Sequence, residues 1–164
     1  MVRTSEKAPV DEDNSTRIEK ITDGTVIDHI KASKALTVLK IIGLDGSHGE
    51  LVTVGINVKS RKYGKKDIIK VENVYLNQTD VNKIALISPT STIVKIKDMK
   101  IIEKTMVELP AKVEFVKCPN QGCISNQGEP IRPAFDVISK NPIKVQCAYC
   151  DRIIYGDDIM EFAF

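Results

Sequence analysis

Histidine is scarce in these 164 residues, with only His29 and His48, and aromatic side chains make up 5% of the chain. So few rings leave little platform for stacking nucleobases, which argues against a nucleic-acid partner. No apolar run approaches the roughly 20 residues that cross a bilayer, and residues 1–7 lead into polar sequence rather than an apolar signal segment. A soluble, cytoplasmic chain with no membrane partner is the expectation. A Gly-x-x-x-x-Gly-Lys-Ser/Thr loop is missing, which excludes P-loop hydrolysis of a nucleotide. So is any nucleophile with its base, or a paired carboxylate cleft, and no catalytic residue is assigned. Cysteine is absent before position 118.

The four cysteines that are present, Cys118, Cys123, Cys147 and Cys150, read as Cys-x4-Cys and Cys-x2-Cys with 23 residues between the pairs. Each pair can sit on one tight turn and offer two thiolates to a common centre, the arrangement a tetrahedral zinc ion takes. Two disulfides are the competing reading, but they belong to oxidising compartments. A thioredoxin-like role for the second pair alone needs no first pair upstream. Iron fits the same ligand set. One structural zinc is favoured, because the chain carries no other redox apparatus.

The composition, 42% hydrophobic and 28% charged, is ordinary for a globular protein, and the length fits one large domain or two small ones. Two are expected. The last ~55 residues hold few long apolar periodic segments, and a unit that small tends to need a metal to fold alone. The net charge of +2 conceals an asymmetry: 18 basic and 14 acidic residues up to Lys104, then 6 and 8 beyond it. The metal end is therefore poorly suited to holding phosphates.

Along the chain, residues 1–15 have little to bury and are expected to be a flexible tail. Residues 17–21 are expected to form a short strand stopped by Asp23-Gly24. Ser33 is placed to cap a helix carrying Ala35, Leu36, Leu39 and Ile42, which Gly43 ends. Residues 51–58 alternate as a strand with Val52, Val54, Ile56 and Val58 on one face. A basic loop over 59–66 leads to a strand over 67–75. Thr79 is placed to cap a helix through Val81, Ile84, Ala85 and Leu86 that stops at Ser88-Pro89. Strands over 92–97 and 100–105 follow, joined at Asp98-Met99. The order β-α-β-β-α-β with an extra strand predicts an α+β, ferredoxin-like sandwich, an antiparallel sheet with two helices on one face. A small all-β zinc-binding domain follows, with the boundary at Leu109-Pro110.

The Asp28-His29 pair and the lysines over 59–70, with six basic residues and one acidic, are candidate ligand contacts. An Asp can accept from ribose hydroxyls and a His can meet a phosphate. Lys95, Lys97, Lys100 and Lys104 form a third basic group. Converging on one sheet, these would make a nucleotide site, although a charge run is more often a solvated face.

Four blocks carry a resemblance that runs from about Ser15 to the C-terminus. Gly24-Thr25-Val26-Ile27-Asp28-His29-Ile30, Gly64-Lys65-Lys66-Asp67-Ile68-Ile69-Lys70-Val71-Glu72-Asn73, Cys118-Pro119-Asn120-Gln121-Gly122-Cys123-Ile124-Ser125 and Cys147-Ala148-Tyr149-Cys150 resemble, in order and spacing, the regulatory chain of aspartate carbamoyltransferase. The resemblance implies a non-catalytic, allosteric subunit of a pyrimidine-biosynthesis enzyme. It implies that residues 16–108 bind ATP or CTP and pair with a second copy, and that residues 109–164 hold zinc and contact a catalytic chain. Two catalytic trimers bridged by three regulatory dimers is the implied assembly. By position, Ile18, Glu19 and Ile21 would lie beside the base and Asp28 would meet the ribose. His29 and Lys104 would meet the triphosphate, Lys70 the base and ribose, with Lys66 in support and Ile96 and Ile101 as walls. Val94 stands where better-known members have an asparagine, Met99 where they have a tyrosine, and Lys20 where they have a small apolar residue. The alternatives from other classes are a zinc-ribbon nucleic-acid-binding protein and a stand-alone nucleotide sensor.

Overall fold

The computed structural model of the chain describes residues 19–163. The expected tail over 1–15, and Arg17 and Ile18 of the expected first strand, lie outside them. Two antiparallel sheets follow one another in the sequence.

The first strand, β1 (Gly24–Lys31), starts where a stop was expected, and Glu19 to Ile21 form no strand. Asp23-Gly24 is the strand's start because Gly24 adopts φ 135°, and a Cβ there would lie 2.1 Å from the carbonyl oxygen of Val71. Only glycine allows that approach. Asp23 anchors the turn on both sides: its carbonyl accepts from the Asn73 amide and its carboxylate from the Asp98 amide.

Helix α1 (Ala35–Ile42) ends at Gly43 in the left-handed region, as its sequence predicts. Ser33 does not cap it; Ser33 itself has φ 68°, and Lys34 occupies the N-cap without a side-chain capping bond. The carboxylate of Asp67, fully buried and 32 positions away, accepts from the Ala35 amide at 2.9 Å and so satisfies a donor the local sequence leaves open. Leu36, expected on the core face, is 64% exposed; Val38 takes that place.

Strands β2 (Val52–Ser60) and β3 (Gly64–Glu72) form a hairpin whose turn falls inside the expected basic loop. A register shift between Gly55 and Val58, with Asn57 at φ 58°, breaks the alternation expected of residues 51–58 and leaves Ile56 exposed. Helix α2 (Gln78–Ile87) is capped by Asn77 rather than Thr79. Asn77 and Asp80 exchange side-chain-to-backbone bonds as a capping box. Strands β4 (Thr92–Lys97) and β5 (Lys100–Met106) meet at Asp98-Met99, both with positive φ, as a tight hairpin requires.

The sheet order is β2-β3-β1-β4-β5, the expected sandwich with its extra edge strand. Period-two alternation splits its two faces. Ile27, Ile69, Val71 and Ile93 pack against Ala35, Val38 and Leu39 of α1 and Ile84 and Ala85 of α2. Val26, Ile68, Val94 and Ile96 point the other way, over which no helix lies among the described residues.

The second sheet, β6 (Lys112–Val113), β7 (Phe135–Lys140), β8 (Ile143–Cys147) and β9 (Ile153–Tyr155), is followed by a one-turn helix α3 (Ile159–Phe162). Its core gathers Val113, Val116, Phe135, Val145, Ile154 and Ile159 around three buried cysteines. Leu86 of α2 joins this core and Leu109 packs against both, so the two halves share an apolar seam.

Candidate ligand face and metal centre

The face of the first sheet turned away from the helices collects the candidate ligand residues. Lys70 pairs in register with Val26, Val26 with Val94, and Val94 with Lys104. One row across four strands therefore has a lysine at each end and valines between. Paired residues of an antiparallel sheet share a face. Ile21 is buried over this row with Val26 and Val94, flanked by Ile68 and Ile96. Ile96 pairs with Ile101, which is 64% exposed.

Lys66 and Lys70 alternate with Ile68 along β3 and present ammonium groups to the same face. Lys66 meets Asp28 at 2.7 Å. Burial raises the Asp28 pKa, but the bond to Lys66, the His29 amide at 2.7 Å and the nearby cations outweigh it and hold the carboxyl below its ordinary value. Asp28 is thus a fixed anion in a basic surrounding. Burial pulls the Lys70 ammonium below its ordinary pKa; Asp28 opposes this and Lys20 adds to it. The Lys70 ammonium also donates to the Glu19 carbonyl at 2.6 Å, holding the segment before β1 against the sheet while the Glu19 side chain stays exposed.

Asp28 and His29 do not form a turn. They sit in a register shift of β1 between Ile27 and Ile30, where His29 takes φ 57°. The bulge re-aims the imidazole toward the end of the sheet, edge-on to Tyr63 with ring centres 6.0 Å apart. Its Nδ1 is buried, 3.6 Å from Asp28 and too far for a hydrogen bond, and has no hydrogen-bond partner among the described residues. Sequence reasoning missed Val26 and Ile68 as the apolar floor. The alternation Lys66, Ile68, Lys70 was the signal that could have found Ile68. Ile18 lies outside the described residues.

In the second half, the four cysteine sulfurs lie within 4.8 Å of one another, with Cys118 to Cys150 at 3.6 Å and Cys123 to Cys147 at 3.7 Å. Four thiolates at about 2.3 Å from a shared centre have edges of about 3.8 Å, so the cluster fits a tetrahedral zinc ion. The loops are pre-shaped for it. Asn120 accepts from the Gly122 amide through its side chain and from the Cys123 amide through its carbonyl, and the Asn126 amide group donates to the carbonyls of Cys118 and Asn120. Asp151, at φ 60°, turns the second loop and donates its amide to the Cys147 carbonyl. Burial and neighbouring thiols push Cys118 and Cys147 above the ordinary thiol pKa despite nearby backbone donors. Burial also acts on Cys150, but the Arg152 amide, Asn120 and the adjacent thiols bring it down to about 7. Several thiolates cannot share this volume without a cation, and a divalent metal supplies the missing charge.

Comparison with known proteins bears on both halves. A family model for the aspartate carbamoyltransferase regulatory chain, allosteric domain, matches residues 16–108, and one for the metal binding domain of the same chain matches residues 112–160. The chain belongs to the aspartate carbamoyltransferase regulatory chain family. Relatives bearing that name include those of Methanothrix thermoacetophila, 51% identical over 83% of this chain and 89% of the relative, and Thermococcus kodakarensis, 49% identical over 88% and 95%. The relative from Staphylothermus marinus is 46% identical over 91% of this chain and 92% of its own length. As a regulatory chain of a pyrimidine-biosynthesis enzyme it is not itself the enzyme, in keeping with a sequence that offers no catalytic set. Its metal-binding domain and clustered thiols make the metal a structural zinc. No helix among the described residues is long and apolar enough to cross a membrane.

Proposed function

We propose that this chain confers nucleotide control on an aspartate carbamoyltransferase, binding ATP- or CTP-type effectors on the helix-free face of the first sheet and docking on catalytic chains through the zinc-bearing half. The observation that supports it is the in-register row from Lys70 through Val26 and Val94 to Lys104. Three strand spacings of about 4.8 Å separate the two lysines, about 14 Å, a span an extended nucleoside triphosphate can bridge. The valines and Ile21, Ile96 and Ile101 offer apolar contact to a base, and Asp28 can accept from ribose hydroxyls once it is shared with Lys66. Lys66 and Lys104 supply positive charge for phosphates and His29 a ring nitrogen that can hydrogen-bond to them, with Lys70 holding Glu19 and the base side.

The effector acts at a distance only by binding two quaternary states unequally, and that coupling is reciprocal. Its route runs through the Leu86 and Leu109 seam into the zinc-bearing half, whose four ligands are Cys118, Cys123, Cys147 and Cys150. The outer edge of β5 is unpaired among the described residues and exposes Met99, Ile101, Ile102 and Met106. A second copy of the chain covers that edge in the implied dimer, as exposed apolar edges invite. Three such dimers between two catalytic trimers complete the assembly.

Calorimetric titration of ATP and CTP tests the effector face. Lys104→Ala removes a charge-assisted contact worth about 1.5–3 kcal/mol, so affinity should fall roughly ten- to a hundredfold. An unchanged affinity for both nucleotides would refute the assignment. Co-expression with catalytic chains, followed by native mass measurement with and without a chelator, tests the docking half. A complex that survives complete zinc removal would rule out zinc as the support of that interface.

A further inference from the structure

Beside the seam between the two halves lies a cleft of about 620 Å³, within the range of about 300–1,000 Å³ common to small-ligand sites. Three lysines line it from three separate elements: Lys31 at the end of β1, Lys65 at the start of β3, and Lys140 at the end of β7. His29, Tyr63 and Asn141 line it as well. The one carboxylate in the lining among the described residues, Asp157, is engaged by Lys34 at 2.8 Å and also feels the charge of Lys31. Lys31, Lys65 and Lys140 form no ion pair with a carboxylate among the described residues.

A run of surface lysines is usually a solvated face that spreads its charge outward. Here the lysines are far apart in sequence, and the fold turns them into one concavity. The lysines outnumber the one carboxylate described in the lining, and a cleft with such an excess of one sign of charge focuses its field and concentrates counter-ions of the other sign. The imidazole of His29, turned into this end of the sheet by the β1 bulge, and the Tyr63 hydroxyl add hydrogen-bonding groups that a bare ion atmosphere does not need.

We propose that this cleft is an anion site separate from the sheet face, that it takes a small multivalent oxyanion of the inorganic diphosphate class, and that the bound anion ties the two halves together. The inference goes beyond the nucleotide reading, with which it shares only His29. Lys31 and Lys65 belong to the first half and Lys140 to the second, so an anion held by all three favours the present arrangement of the halves over any that separates them. A ligand that binds one arrangement better shifts the population toward it.

The test is calorimetric titration of the full, zinc-bearing chain with inorganic diphosphate in a phosphate-free buffer, on the parent chain, the Lys31→Ala/Lys140→Ala double variant and Lys104→Ala. Both substituted lysines of the double variant are exposed, so the fold should tolerate it. The expected result is saturable one-to-one binding to the parent, weakened by about tenfold or more in the double variant and unchanged in Lys104→Ala. Absence of saturable binding overturns the proposal. So does parent-like affinity in the double variant. Loss of binding in Lys104→Ala alone also overturns it, because the anion then occupies the sheet face. Loss of ATP affinity in Lys104→Ala with diphosphate binding intact separates the two sites, and failure of the nucleotide reading leaves this result unaffected.

Discussion

The two sheets of this chain are held together in different ways. The first packs a five-stranded sheet against two helices, and its core of isoleucines, valines and leucines is continuous from Ile27 to Ile93. The second has four short strands and a one-turn helix, and three of the ten residues in its core cluster are cysteines. Apolar burial stabilises the first in proportion to area removed from water. The second has too little such area for its length, and metal coordination makes up the difference. The proposed ligand face is therefore carried by a sheet that folds on its own contacts, while the other half is conditional on an ion.

The largest test of that contrast is metal removal. Structural zinc in small domains contributes about 10–16 kcal/mol of folding free energy, so Cys147→Ala or exhaustive chelation should unfold residues 112–163. Hydrogen exchange should show protection lost there and retained over residues 24–106. Uniform loss across both halves would show that the first sheet leans on the second through the seam.

Core truncation comes next. Phe135 and Ile27 are both fully buried, one in each core. With zinc bound, Phe135→Ala should cost about 3–5 kcal/mol and Ile27→Ala about 2–5 kcal/mol by denaturant unfolding. If Phe135→Ala costs much less than Ile27→Ala, the metal carries even more of the second half than its small core suggests.

Asp67 tests how far the first sheet depends on one polar group. Its carboxylate accepts from the amides of Ala35 at 2.9 Å and Asn57 at 2.8 Å, tying the start of α1 to the bulge of β2. Asp67→Ala leaves one buried and one part-buried donor unmet and should cost about 2–3 kcal/mol. Asp67→Asn, which keeps one acceptor, should cost less.

The smallest expected effect is at the contact between the halves. Lys34 meets Asp157 at 2.8 Å, and the bond and the charge hold the Asp157 carboxyl below its ordinary pKa. A carboxyl with a lowered folded pKa contributes stability that is full above its unfolded value and is lost as pH falls through the folded one. Because Asp157 is largely exposed, Lys34→Ala should cost under about 1 kcal/mol near neutral pH and nothing in acid. A larger cost would mean that the halves are held by charge as much as by Leu86 and Leu109.

Much of this was legible in the chain itself. The cysteine spacing marked the metal ligands because two tight turns and a tetrahedron leave few other uses for it. The order of elements followed from periodicity and from turn signals such as Gly43 and Asp98-Met99, where the backbone angle needed is written in the residue type. Asp28, Lys66, Lys70 and Lys104 were nameable as candidate ligand contacts from their charge and hydrogen-bonding capacity.

What the sequence could not carry was anything decided by residues far apart along it. Ser33 and Thr79 are good capping residues, but Asp67 and Asn77 serve the helices because packing brings one and a reciprocal bond favours the other. Asp23-Gly24 is a turn signal by composition and a strand start in the fold, because the Val71 carbonyl passes too close for any side chain. Register alone set Lys70, Val26, Val94 and Lys104 in one row, and only the packing of one half on the other gathered Lys31, Lys65 and Lys140 around a cleft. Local chemistry fixed what each residue can do, whereas long-range pairing fixed which residues do it together.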